Sequence, residues 1–333
     1  QLRICMEGKI MNSVGIDISK GRSTIAVMRP FGEVVISPFE VRHTGSELSK
    51  LARQLKSLDG ETCVVMEATG NYHASVAKLL HDAGLYVSVV NAKLVHGYGN
   101  NDLRRVKTDR KDAIKLANYG LDRWLTLPRY IPEENTRLLL KNCYRQYRQY
   151  SKVQTVLKNN LISLLDMTFP NANRLFNIPA RADGSEKWVD FVAEFWHCEC
   201  VSERPLKSFV NKYWRWCRKH GYNFSEEKAH AIYDEASGHI GVMPKSETTK
   251  LLVEQAVSQL SATSAALAVL KQEMQSLSSQ LPEYPVVMDM FGVGPTLGPQ
   301  LIAEIGDVRR FYSKKALVAY AGIDAPPNDS GDV

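Results

Sequence analysis

The sequence predicts an α/β domain, then an all-α region of long helices, then a small helical C-terminal unit. Three observations lead there. Strand-type and helix-type patterns alternate up to about residue 127 in the order βββαβαβα, which describes a sheet with helices packed on it. Two long stretches, 136–165 and 247–281, carry apolar residues at helical spacing. A Gly-x-Gly turn, Gly292-Val293-Gly294, comes just before a short apolar helix. At 333 residues the chain exceeds one ordinary core, so several domains are expected.

The first two strands are read from Val14-Gly15-Ile16-Asp17-Ile18-Ser19 and Thr24-Ile25-Ala26-Val27-Met28, joined by a tight turn at Lys20-Gly21. Asp17 stands out, because a charge in a buried strand is costly unless it is paired or holds a metal. An Asp bonding to turn amides is the plain alternative. Residues 34–41 alternate as a third strand, and 46–58 have an amphipathic helix pattern with Leu48, Leu51, Ala52 and Leu55 on one side. Thr62-Cys63-Val64-Val65-Met66 is apolar throughout, as in a strand covered on both faces. It ends at Glu67, so this acid stands at the carboxyl end of a buried strand, where open α/β sheets place their sites. A helix over 73–83 and a strand over 86–91 follow.

Lys107-Thr108-Asp109-Arg110-Lys111-Asp112 then opens a helix. Its i, i+3 spacing sets Asp109 and Asp112 on one face. Two adjacent carboxylates repel unless a cation shares them, and hard divalent ions take oxygen ligands of this kind. With Asp17 and Glu67 they could converge at one sheet edge. The basic neighbours Arg104, Arg105, Lys107, Arg110 and Lys111 suit a polyanionic partner. A solvated turn carrying mixed charges is the bland reading of the same residues.

The stretch 136–165 has no Gly or Pro and no acid before Asp166, while Arg137, Lys141, Arg145, Arg148, Lys152 and Lys158 line it. A solvated helix normally mixes signs. Unbalanced cations point to a nucleic acid alongside, with Tyr144, Tyr147 and Tyr150 available for packing or for stacking on bases. An idle basic face is the alternative. Residues 186–242 are helical and rich in aromatics. There Cys198, Cys200, Cys217 and His220 invite a zinc reading, but their spacings are looser than standard patterns, and free cysteines are often simply buried. In the second long stretch Leu260, Thr263, Leu267, Leu270, Met274, Leu277 and Leu281 step by threes and fours, a coiled-coil seam. Its expected partner is the basic helix, antiparallel, with a second copy of itself as the rival. Gly292 and Gly294 resemble the turn of a helix-hairpin-helix, which offers backbone N–H groups to a phosphate. Ser330 lies near the end, without a neighbouring base in sequence.

The net charge is +6 with a pI near 8.9, a mild lean toward polyanions. An apolar fraction of 44% argues against wholesale disorder. No apolar run is long enough for a membrane span, and residues 1–10 lack the apolar core of a signal peptide. They read as an extension before Met11. Six irregularly spaced cysteines fit a reducing, cytoplasmic compartment.

Gly15-Ile16-Asp17-Ile18-Ser19-Lys20, Glu67-Ala68-Thr69-Gly70-Asn71-Tyr72 and Lys107-Thr108-Asp109-Arg110-Lys111-Asp112-Ala113 resemble the three acidic motifs of the DEDD insertion-sequence transposases, whose members are bridge-RNA-guided recombinases. The Gly292-Val293-Gly294 turn, Glu304-Ile305-Gly306-Asp307, Ala319-Tyr320-Ala321-Gly322 and Ser330-Gly331 resemble that family's second, transposase domain. The resemblance implies an RNase H-like (RuvC-like) domain over 11–127, with Asp17, Glu67, Asp109 and Asp112 holding Mg2+. It implies a coiled-coil region over 128–281, with a helical insertion at about 171–246, and a helix-hairpin-helix transposase domain over 282–333. Ser330 would be the nucleophile, forming a phosphoserine link to DNA. A structured guide RNA would pair with donor and target DNA, leaving sequence recognition to base pairing. The serine of one subunit would serve the acids of another, in a dimer that assembles to a tetramer, in the bacterial cytoplasm at the nucleoid. Family members continue past this serine with a basic segment, so the last domain is expected to be truncated.

Three other readings use the same residues. A metal-dependent nuclease or resolvase would use the four acids and water without the serine. A truncated RNA-binding protein would grip RNA and not cut. An actin-like sugar or acetate kinase shares the first glycine loop, but no second phosphate loop follows and the basic helix has no role there.

Overall fold

The computed structural model describes residues 10–98 and 108–323. The chain divides into two compact units, one up to Pro132 and one from Glu133.

The first unit is built on a five-stranded sheet in the order β3-β2-β1-β4-β5. Strands β1 (Met11–Ser19), β2 (Arg22–Arg29) and β3 (Glu33–Arg42) form an antiparallel meander. Gly21, at φ +79°, supplies the left-handed backbone its first turn needs. Helix α1 (Gly45–Lys56) begins where the Thr44 hydroxyl accepts the Glu47 N–H at 3.3 Å. Strand β4 (Glu61–Glu67) then pairs parallel to β1, helix α2 (Tyr72–Asp82) crosses over, and β5 (Tyr86–Val90) pairs parallel to β4. A five-residue helix α3 (Ala92–His96), not expected from the sequence, starts with the Asn91 carboxamide oxygen accepting the Lys93 N–H at 2.9 Å. Helix α4 (Asp109–Asp122) completes the unit.

The two faces of the sheet are covered differently. Val14, Ile16, Ile25, Val64 and Met66 face α1 and α2 in the larger core. Their neighbours along the strands face α4: Val65 packs with Leu116 and Tyr119, and Gly15 lies directly beneath the α4 backbone. A Cβ at Gly15 would stand 2.0 Å from the Ala113 carbonyl oxygen and 2.4 Å from the Ala117 nitrogen. The glycine is what lets the helix lie on the strand.

In the second unit α5 (Asn135–Thr168) and α10 (Glu247–Ser279) run antiparallel along each other. Leu140 packs with Met274, Leu277 and Leu281 at one end, while Leu161 and Leu165 pack with Val253 and Leu260 at the other. Midway, the Gln154 amide donates to the Ser264 hydroxyl at 2.9 Å. The seam predicted on α10 is thus spent on α5, and its Leu260, Leu267, Met274, Leu277 and Leu281 are buried.

Between these helices the chain forms α6 (Lys187–Glu194), α7 (Glu199–Ser202), α8 (Leu206–His220) and α9 (Glu226–Gly238) around a core of rings. Phe191 stacks on Phe195 at 4.7 Å and meets Trp216 edge-on at 5.7 Å, arrangements that add to the area they bury. Lys187 is enclosed there, its ammonium 4.9 Å from the rings of both Phe176 and Tyr222, and burial pushes its pKa down. The C-terminal elements α11 (Tyr284–Met288), α12 (Leu297–Ile305) and α13 (Lys314–Tyr320) are short. Among the described residues no helix is long and apolar enough to cross a membrane.

Candidate active site

The acids of the first unit are placed by the pleat and by α4. In β1 and β4 the register runs Gly15 to Val65 and Ile16 to Met66, so the next residues along each strand are Asp17 and Glu67. Side chains alternate across a strand. Ile16 and Met66 face α1 and α2, so Asp17 and Glu67 face the α4 side with Gly15 and Val65.

Helix α4 descends antiparallel to β1. Gly120 sits over Ser13, where a Cβ would meet the Ser13 hydroxyl at 2.2 Å, and 113–117 lie over Gly15. Two residues further along the strand, about 6.6 Å, Asp17 comes beside the first turn of the helix. That turn carries Asp109 and Asp112. Thr108 caps it, its hydroxyl accepting the Lys111 N–H at 3.3 Å. The helix N-terminus is the favourable end for carboxylates. Asp17, Glu67 and Asp112 are half-buried and Asp109 is exposed.

Beside this edge is an open cleft of about 410 Å³ lined by Thr24, Pro38, Phe39, Glu40, Thr108, Asp109 and Arg110. Asp17 is directly across from Thr24, and Thr24 from Glu40, so the row crosses three strands on the α4 face. Glu40 and Thr24 were not anticipated; they could be found only from strand register. Glu40 stands 3.5 Å from the Arg22 guanidinium.

The donor set is all carboxylate oxygen, the chemistry a hard divalent cation prefers. Among the described residues no three His, Cys, Asp or Glu side chains stand close enough together to hold an ion. Strand register and the close approach of α4 to β1 put Asp17, Glu67 and the first turn of α4 on the same face of the sheet, and the four acids do not close into a ligand sphere. Arg104, Arg105, Lys107 and Ser330 lie outside the described residues. Arg110 and Lys111 are exposed on the first turn of α4.

The basic helix differs from its sequence reading. Arg137 is buried and forms a bidentate pair with Glu283, which raises the pKa of the arginine and lowers that of the glutamate. Lys141 pairs with Glu133 at 3.3 Å and Lys158 with Glu186 at 2.6 Å, while Arg148 reaches Glu304 at 4.0 Å and lies over Tyr144. Glu133 and Glu134 just before the helix supply part of the balance, and Glu186, Glu283 and Glu304 come from distant segments that a local charge count cannot see. Among the described residues only Arg145 and Lys152 of the six have no ion-pair partner. Tyr144 and Tyr147, half-buried, pack against the Leu140 cluster.

The cysteine group does not assemble. Cys198 lies against His197 and the His239 carbonyl, whereas Cys217 is buried beside Tyr213 and His220 packs on Trp216. Burial raises the pKa of both thiols, so they are core residues rather than ligands. Gly292, at φ +80°, turns the chain between α11 and α12, and open space surrounds Gly294.

A mixed sheet in this order, with acids at the carboxyl ends of two central strands and at the start of the helix laid over them, fits an α/β domain of the RNase H-like class. Family comparison agrees in chain order. A profile for DEDD transposases of the IS110 type matches residues 14–170, and one for the transposase IS116/IS110/IS902 family matches 284–333. Together they cover well over half of the chain, which belongs to this family of DNA transposases. The insertion element IS116 uncharacterized 44.8 kDa protein of Streptomyces clavuligerus is 24% identical over 96% of this chain and 77% of its own length. The pilin gene-inverting proteins of Moraxella bovis and Moraxella lacunata are each 32% identical over 93 residues, 28% of this chain and 28% of theirs.

Proposed function

We propose that this transposase cuts and rejoins DNA with Mg2+ held by Asp17, Glu67, Asp109 and Asp112, with Ser330 as nucleophile and a structured bridge RNA as guide. What supports the metal half is that two strand-end acids and the capped first turn of α4 lie on the same face of the sheet. When bound, Mg2+ stabilises charge on the oxygens of an in-line displacement at phosphorus. The chain's own part is to hold four carboxylates at one edge and to present Arg110 and Lys111 beside them as phosphate contacts. Ser330 Oγ attacks phosphorus and expels one bridging oxygen, leaving a phosphoserine bond. Attack on that bond by a DNA hydroxyl restores the serine and rejoins the strand.

Relatives named for inverting a pilin gene support a DNA-rearranging reading. The antiparallel α5/α10 pair acts as the coiled coil that helps grip RNA, through Arg145 and Lys152 first and Lys141, Arg148 and Lys158 when their acids release them. The α11–α12 turn at Gly292 and Gly294 acts as the helix-hairpin-helix. The working unit is a dimer that pairs into a tetramer, at the nucleoid. Ser330→Ala tests the nucleophile on DNA carrying the element's ends, with the copurified RNA retained. The proposal expects loss of both cleavage and the protein–DNA adduct seen on denaturing gels. Cleavage at the wild-type rate without an adduct would instead establish a metal-and-water nuclease.

A further inference from the structure

The matched stretches leave residues 171–283 between them. Within that segment α8 carries Lys207, Lys212, Arg215, Arg218 and Lys219 and not one acid. Its buried face is Phe209, Tyr213, Trp216 and Cys217. On the opposite side Lys207, Asn211, Arg215 and Lys219 recur every fourth residue and are all exposed. From the first to the last of these is about 18 Å at 1.5 Å per residue.

The stripe forms one wall of an open cleft of about 790 Å³ that also takes in Arg204, Ser208 and Lys212. The one acid in the lining, Glu194, is already neutralised by Lys212 at 3.0 Å. The field of the wall reaches it as well: after Lys212, Lys219 and His220 help hold its carboxyl below the usual range. Among the described residues Arg204, Lys207, Arg215 and Lys219 have no ion-pair partner. Four exposed cations lining one cleft without ion-pair partners repel, and a polyanion in the cleft relieves that repulsion.

We propose that this cleft binds the phosphate backbone of duplex DNA, as a second contact outside the acidic edge. The only ring in its lining, Trp216, is buried, so no face is offered for stacking on an unpaired base. What the cleft presents is hydroxyl, amide and ammonium or guanidinium donors, the groups that position a duplex without reading its sequence. A stripe of about 18 Å is long enough to run beside several consecutive phosphates of one strand. The choice of DNA over duplex RNA rests on the DNA-acting reading of the family.

The test is binding of the full chain to a short fluorescent DNA duplex of arbitrary sequence, followed by anisotropy across a salt series. The variant Lys207→Gln/Arg215→Gln/Lys219→Gln removes three contacts from exposed positions. Its slope of log affinity against log salt should be shallower by about 2.7, at about 0.9 per phosphate contact. Its affinity at low salt should fall about tenfold or more, with an unchanged melting temperature. A wild-type slope in the variant overturns the proposal. So does a loss seen with an RNA duplex but not with DNA, which would give the cleft to RNA. If the unmodified protein fails to bind DNA, the DNA-acting reading itself is wrong, and that outcome is distinct from failure of the cleft alone.

Discussion

The site depends on how closely α4 lies on β1, and Gly15→Ala perturbs that one distance. The added Cβ would stand 2.0 Å from a backbone oxygen and 2.4 Å from a backbone nitrogen, where ordinary contact begins at 3.4 Å. Neither atom is the end of a flexible side chain, so the helix itself must retreat by roughly 1.4 Å. Overpacking of this kind costs about 1–3 kcal/mol, because the contacts of Ala113, Leu116 and Ala117 with the sheet are loosened together. The same movement carries Asp109 and Asp112 away from Asp17 and Glu67, and a misplacement near 1 Å costs on the order of 100-fold in rate. Gly45→Ala is the control, since nothing lies within 4 Å of the Cβ it would add. Thermal unfolding and Mg2+-dependent cleavage are measured on both. The expected result is a melting point several degrees lower and a cleavage rate lower by about two orders of magnitude for Gly15→Ala only. Unchanged melting and cleavage would refute the claim that α4 positions the acids through this glycine.

Gly120→Ala meets the Ser13 hydroxyl and a Val65 methyl, side-chain rather than backbone atoms, so calorimetry should find it destabilising but milder than Gly15→Ala. Arg137→Met leaves Glu283 without its partner where α10 gives way to α11, and chemical denaturation should register a loss of about 3 kcal/mol. That pair also predicts a pH dependence. The Glu283 pKa is lowered by Arg137, so its contribution is complete above the unfolded-state carboxyl pKa near 4.5 and fades as pH falls through the lower folded value. Stability of wild type minus Arg137→Met, followed downward from pH 6, should shrink; a constant difference contradicts the assignment. Arg145→Glu/Lys152→Glu should weaken RNA binding and flatten its salt dependence more than Lys141→Glu/Lys158→Glu does, because the second pair is already engaged with acids. Equal effects in a filter-binding series would remove that distinction.

Much of this was legible in the sequence because local rules govern it. The strands and helices follow from apolar period and caps, and Asp17, Glu67, Asp109 and Asp112 announce themselves as acids at the ends of buried or capped elements. The antiparallel pairing of α5 with α10 follows from the seam. Long-range facts were out of reach. The charge balance of α5 depends largely on Glu186, Glu283 and Glu304, which the fold and not the local sequence brings alongside. Gly15, a glycine inside a strand, did carry a signal of close backbone approach. The acid-free stripe at every fourth residue of α8, with cations at three of its four positions, was equally legible beside the rings that build the core. Short α3 has too few residues to show a period.

The central claim is that the four carboxylates form one Mg2+ site. Titration calorimetry of Mg2+ into the full chain, into Asp17→Asn and into Asp109→Asn tests it most directly, since the two substitutions lie on different elements. The account predicts one binding event in wild type that is lost or greatly weakened in both variants, while melting temperatures stay close to wild type. Full Mg2+ binding retained in either variant would contradict it.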